Sequence, residues 1–111
     1  MDIYDKQIED VTIITIDGNI DTLTAPRIMK HIKGLISNGK ARLVVDFSAV
    51  DYTSSAGLRV LLGTVKETRA KGGDLFLFDV QPDVERVLSL SGFTSILEIV
   101  PDIDTAVNKF S

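Results

Sequence analysis

The 111 residues carry 12 Lys and Arg against 16 Asp and Glu, a net charge of −4, with 44% hydrophobic and 25% charged residues. That is the size and composition of one soluble globular domain, expected to span residues 1–111, and the acidic balance argues against nucleic-acid binding through clustered cations. No cysteine and a single histidine, His31, exclude disulfides, thiolate chemistry and the common zinc sites.

No apolar run approaches the ~20 residues that cross a bilayer. The start, Met1-Asp2-Ile3-Tyr4-Asp5-Lys6, lacks the basic-then-apolar pattern of a signal peptide, so a cytoplasmic protein without a membrane partner is expected. Ile3–Ile8 and Val11–Ile16 both read as strands, separated only by Glu9-Asp10, which predicts an antiparallel hairpin. Asp17-Gly18-Asn19 breaks the second strand. A helix is predicted over Ala25–Ser37, with Thr22 or Thr24 as its cap, Pro26 in its first turn and Ile28, Met29, Ile32, Leu35 and Ile36 at helical spacing.

Leu43-Val44-Val45 with Phe47 is the short continuous apolar run of a strand buried on both faces. The longest helical pattern follows from Ser54 to Lys71, with Leu58, Leu61, Leu62 and Val65 as its core stripe. Gly72-Gly73 ends it, and Leu75–Phe78 reads as a second buried strand. Pro82 opens a helix carrying Val84, Val87 and Leu88 and stopping at Gly92. A short strand over Leu97–Val100 and a last helix capped by Asp102, with Ile103, Ala106, Val107 and Phe110 inward, complete the chain. Alternating helices and buried strands after a hairpin predict an α/β fold: a central mixed sheet with parallel crossovers and about four packed helices.

In such a sheet, functional loops collect at the carboxyl ends of the buried strands. The loop from Asp46 to Gly57 leads from a buried strand into the longest helix and holds Ser48, Thr53, Ser54 and Ser55. Helix capping explains any one of these hydroxyls by itself. A nucleophilic serine would need a neighbouring base. His31 lies mid-helix beside Ile32, where a surface or half-buried role is commoner, and the flanking glycines of a hydrolase elbow are absent. Neither phosphate-binding glycine motif is present. Asp46 and Asp51 lack the acidic pair and late lysine of a phosphoryl-accepting pocket. These absences argue against an enzyme and call for no cofactor and no metal.

Tyr52-Thr53-Ser54-Ser55-Ala56-Gly57-Leu58-Arg59-Val60-Leu61-Leu62, preceded by Leu43-Val44-Val45-Asp46-Phe47-Ser48, closely resembles the signature of STAS domains. The match is nearest to the bacterial anti-sigma factor antagonists. Gly18-Asn19-Ile20-Asp21, Gly72-Gly73-Asp74-Leu75 and Val87-Leu88-Ser89-Leu90-Ser91-Gly92-Phe93 extend the resemblance, in family order, over nearly the whole chain. It implies a STAS-type single domain that acts as a switch. Such proteins bind an anti-sigma factor and thereby free a sigma factor. The anti-sigma factor is commonly a kinase that phosphorylates one serine of the antagonist, and a serine phosphatase resets the cycle.

Aligned on Gly57, the phosphorylated serine corresponds to Ser55. Many members have Asp before that serine and Ser or Thr after it; here those positions are Ser54 and Ala56, so Ser54 is a competing candidate. The resemblance, with the loop and helix spacing, places partner binding on Asp21, Thr22, Thr53, Ser54, Ser55, Ala56, Gly57, Arg59 and Gly63. Ser55, Arg59 and Gly63 fall one turn apart on a stripe distinct from the apolar one. The other function class open to such a domain is a scaffold or adaptor subunit of a larger signalling assembly, with no sigma-regulating role.

Overall fold

The computed structural model describes residues 1–110. Two strands, β1 (Asp2–Ile8) and β2 (Val11–Asp17), form the antiparallel hairpin that the sequence predicts, paired from Asp2↔Asp17 to Ile8↔Val11. The two-residue turn closes with Glu9 in the left-handed region at φ 54°. The chain continues as α1 (Ala25–Ser37), β3 (Arg42–Ala49), α2 (Ser55–Ala70), β4 (Asp74–Phe78), α3 (Pro82–Leu90), a 3₁₀ turn at Phe93–Ser95, β5 (Glu98–Val100) and α4 (Ile103–Asn108).

The strands lie in the sheet in sequence order, β1 to β5, with β2 through β5 mutually parallel. Sequential order has a consequence. Parallel connections of one hand that always step the same way deliver every crossover helix to the same face. Accordingly Ile28 and Ile32 of α1, Leu58 and Leu61 of α2, and Val84 and Leu88 of α3 share one core with Ile14, Leu43, Val45, Leu75 and Leu77. The alternate strand residues Ile13, Val44, Phe76 and Phe78 point to the opposite face, which α4 covers through Ala106 with Ile103, Val107 and Phe110. Strands β3 and β4 are therefore buried on both sides, and Leu43, Val44, Val45 and Phe47 are wholly inaccessible.

Not every residue of the apolar stripes is buried. Met29 and Val87 are substantially exposed, and Leu35 and Leu62 only half-buried. Leu35 still packs against the core, whereas Met29 and Val87 face solvent. In α2 the stripe is completed by Val60, Thr64 and Thr68. Both threonines are buried because each returns its hydroxyl to its own helix, Thr64 Oγ1 donating to Val60 O at 2.9 Å and Thr68 Oγ1 to Val65 O at 2.8 Å.

The cap of α1 falls on Thr24, one of the two expected residues, but without the expected side-chain bond. Neither Thr22 nor Thr24 caps α1 with its side chain. The Asp21 carboxylate accepts instead from the backbone N–H groups of Leu23 and Thr24, both at 2.9 Å, while Thr24 Oγ1 accepts from the Asp21 N–H at 2.9 Å. Asp21 and Thr24 thus close the turn that leads into the helix, each bonding the backbone or side chain of the other.

Candidate functional site

The β2–α1 and β3–α2 connections leave the sheet at the same edge of two adjacent parallel strands. They do not separate there. Gly18 N donates to Ala49 O at 3.1 Å, Ile20 N to Tyr52 O at 2.9 Å and Ser54 N to Ile20 O at 2.8 Å, and Ile20 forms a parallel bridge with Thr53. The β2–β3 ladder thus runs on into both loops. Its register shifts on the way: Thr15 faces Asp46, but Asp17 faces Ala49 and Ile20 faces Thr53. The β3 side carries the extra residues and bulges outward. That bulge holds Tyr52 half in solvent, at 53% exposure.

The zipped loops deliver α2 with its first turn fixed. Ser54 is the N-cap, in extended backbone, and its Oγ accepts from Gly57 N at 3.3 Å. Ser55 is the first helical residue, and it is exposed. The two adjacent serines therefore differ in employment: one hydroxyl is spent on the helix, the other faces solvent. Ser55 stands at the positive end of a sixteen-residue helix that has no acidic residue in its first turn, a position that tolerates an added anion.

Gly57 explains why the approach is so close. A Cβ there would lie under 3.0 Å from both Thr53 Oγ1 and Ile20 Cγ2, so only glycine lets α2 rest on the bridged loops. Asp21 holds the opposite loop. Its carboxyl is lowered below the usual value of 3.8, first by the Thr24 backbone N–H and then by that of Leu23. Asp46 and Asp51 are held in local bonds, Asp46 to Ser48 N at 2.8 Å and Asp51 to the Gln81 side chain at 3.1 Å. His31 contacts Asp5 of β1 at 2.7 Å, in the half-buried position predicted for it.

Of the nine expected partner-binding residues, Asp21, Thr22, Thr53, Ser54, Ser55, Ala56 and Gly57 come together at this paired loop and helix start. Thr53 and Gly57 are buried, so they shape the face from below instead of presenting side chains. Arg59 and Gly63 continue from Ser55 along the exposed side of α2, and a Cβ at Gly63 would meet nothing within 4 Å. Two residues escape sequence reasoning. Leu23 and Tyr52, one on each loop, are 84% and 53% exposed. Their signal in the sequence is an apolar residue inside a polar turn, a pattern that becomes informative once the loops are known to be adjacent.

The STAS domain family model matches residues 3–106. The chain belongs to the STAS domain family. This STAS domain is 32% identical over 104 residues to BtrV of Bordetella bronchiseptica, provisionally named an anti-sigma factor antagonist, across 94% of this chain and 90% of that one. It is 30% identical to the anti-sigma F factor antagonist of Paenibacillus polymyxa, across 91% of this chain and 85% of the relative. A solved structure from Thermotoga maritima, with the same provisional name as BtrV, superposes at a TM-score of 0.92 with 25% identity, covering 97% of this chain and 93% of that one. The expected architecture of a mixed sheet with four helices is the one found, and the Thermotoga structure shares the fold. None of the described helices is long and apolar enough to cross a membrane.

Proposed function

We propose that this STAS domain is an anti-sigma factor antagonist, a binding switch whose docking face is the paired loop and α2 start and whose control point is Ser55. The chain has relatives along nearly its full length that carry the name anti-sigma factor antagonist, and it resembles regulators rather than enzymes. The observation that carries the site assignment is the division of labour between Ser54, engaged as the N-cap, and the exposed Ser55. A kinase needs a hydroxyl that it can reach from solvent, and Ser55 meets that need without breaking the helix cap.

In this reading the partner is an anti-sigma factor with serine kinase activity, and a serine phosphatase restores the unmodified form. Phosphate at Ser55 adds about −1.5 to −2 charges at neutral pH. The helix start and Arg59, one turn on, accommodate that charge within the domain. The penalty falls on docking. Burying a phosphate dianion against a partner without a matching cation costs several kcal/mol, and ~4 kcal/mol is already about a thousandfold in affinity.

The test is mass spectrometry of the protein after incubation with ATP and the kinase encoded beside it in its genome. Phosphate on Ser55, constitutive partner binding by Ser55→Ala and weak binding by Ser55→Asp are expected, all with native circular dichroism. Phosphate on Ser54 with Ser55 unmodified would overturn the assignment.

A further inference from the structure

Between α1 and α2 runs an open groove of about 570 Å³. Its floor is made of small and apolar groups, Ala25, Ala56 and Val60, with Met29 as a flexible wall. Its rim is cationic: Lys30 and Lys33 from α1, Arg59 from α2, all exposed. The charge distribution is unusual for this chain. Helix α1 carries Arg27, Lys30 and Lys33 and no acidic residue, a charge of +3 within a protein of net −4, so the remainder carries −7. The ion pairs of the described residues use His31, Arg42, Arg69 and Lys109, and none uses Lys30, Lys33 or Arg59. The groove opens beside Ser55, since Ala56 lines it from the first turn of α2 and Thr22 from the loop ahead of α1.

We propose that this groove seats an amphipathic helix of the partner, with an aliphatic stripe flanked by Asp and Glu. The inference rests on the antagonist reading above and extends its docking face from α2 onto α1. Small floor residues let a third helix approach the pair closely, an aliphatic side chain fills the apolar floor beside Met29, and carboxylates meet the two lysines on one side and Arg59 on the other. The placement also gives the phosphate a local means of release. One turn from Ser55, Arg59 is within reach of a phosphoserine, and a phosphate there claims the cation that the partner's carboxylate requires.

Two synthetic helical peptides with the same leucine stripe, one flanked by Glu and one by Lys, provide the probe, with vesicles of anionic phospholipid as a third arm. Amide shifts of the nitrogen-labelled full chain are followed by NMR. The Glu peptide should shift Met29, Lys33, Ala56 and Arg59 selectively. Lys30→Glu with Lys33→Glu should weaken it by about tenfold or more and transfer preference to the Lys peptide. Lys30→Gln with Lys33→Gln, a milder change at exposed positions, should weaken the Glu peptide without creating the new preference. Equal binding of the Glu peptide to all variants, shifts outside the groove, binding of neither peptide, or occupation of the groove by vesicles in its place would each overturn the proposal. The two readings fail separately. Ser55 phosphorylation with partner capture unchanged by the lysine reversals would remove the groove and leave the switch. Glu-peptide binding in the groove with no phosphate on Ser55 would do the reverse.

Discussion

Ser54 and Ser55 are chemically identical and adjacent, yet one backbone geometry separates their roles. Ser54 has ψ 172°, the extended conformation of a cap, and accepts from Gly57 N; Ser55 is already helical and exposed. Ser54→Ala is therefore expected to lower stability by ~1 kcal/mol, the usual worth of a cap, while leaving Ser55 open to phosphorylation. Ser55→Ala should stay within ~0.5 kcal/mol of wild type and abolish it. Urea unfolding with phosphate mapping on both variants checks the pair. Gly57 makes a sharper residue-scale claim. Its missing side chain lets the helix meet Thr53 and Ile20, both nearly inaccessible. Although alanine is the better helix former, Gly57→Ala should destabilise by about 1–3 kcal/mol through overpacking, the opposite sign from propensity. An increase in the urea midpoint would refute the close approach.

At the scale of elements, two carboxylates near helix starts accept backbone N–H bonds: Asp21 in the turn ahead of α1, and Asp102, the N-cap of α4, from Thr105 N at 2.7 Å. Both carboxyls lie below 3.8, Asp21 through the backbone N–H groups of Thr24 and Leu23, Asp102 through the backbone and then the side chain of Thr105. A group whose folded pKa is depressed contributes stability above its unfolded pKa and loses it as pH falls through the folded one. The domain should thus lose stability below about pH 4. Asp21→Asn with Asp102→Asn keeps an acceptor oxygen but cannot titrate, and its stability should fall less steeply over that window. Thermal melts from neutral to acid pH measure the two slopes, and parallel slopes would remove these carboxylates from the acid response. The loops themselves are an element-scale object. Because Leu23 and Tyr52 are solvent-facing apolar groups on bridged loops, Leu23→Ala with Tyr52→Ala should weaken partner binding well beyond any loss of melting temperature.

Across the whole molecule, the sequential sheet order puts three helices and the proposed docking face on one side and leaves the other to the six residues of α4. That second side is closed by a small set of contacts. Phe110 packs on Phe76 with ring centroids 4.9 Å apart, and Lys109 reaches over the same ring while pairing with Glu98 at 2.6 Å. Phe110→Ala should cost about 1–3 kcal/mol, below the value for a fully buried phenylalanine because this one is partly exposed. Since the sheet lies between the two faces, Ser55 phosphorylation and partner affinity should be unchanged in that variant at temperatures where it remains folded. A shift in affinity, measured by calorimetry beside wild type, would show that the two faces communicate.

The period of the apolar residues by itself determined most of the framework. Two continuous apolar runs became the doubly buried β3 and β4, and helical spacing with Pro and Gly boundaries located α1, α2 and α3 within a residue or two. Local chemistry determined these elements because each depends on neighbours within a few positions. The expected start of α2 at Ser54 falls one residue early, because Ser54 is the cap and Ser55 the first helical residue. What the linear chain left open was decided by contacts between residues far apart in it. The sequence already placed the two polar turns side by side, at corresponding ends of their strands; what it left open is the bridge of Ile20 to Thr53 across thirty-three positions, which zips them together and turns Gly57 from a weak helix former into a fitted contact. Met29 belongs to the apolar spacing of α1 but lies open beside α2, because the groove between two helices on one sheet face is set by their packing and not by either sequence. That Thr24 caps α1 by position but turns its hydroxyl back to Asp21 and Asn19 was likewise decided by backbone geometry, which also brought two N–H donors within reach of the Asp21 carboxylate.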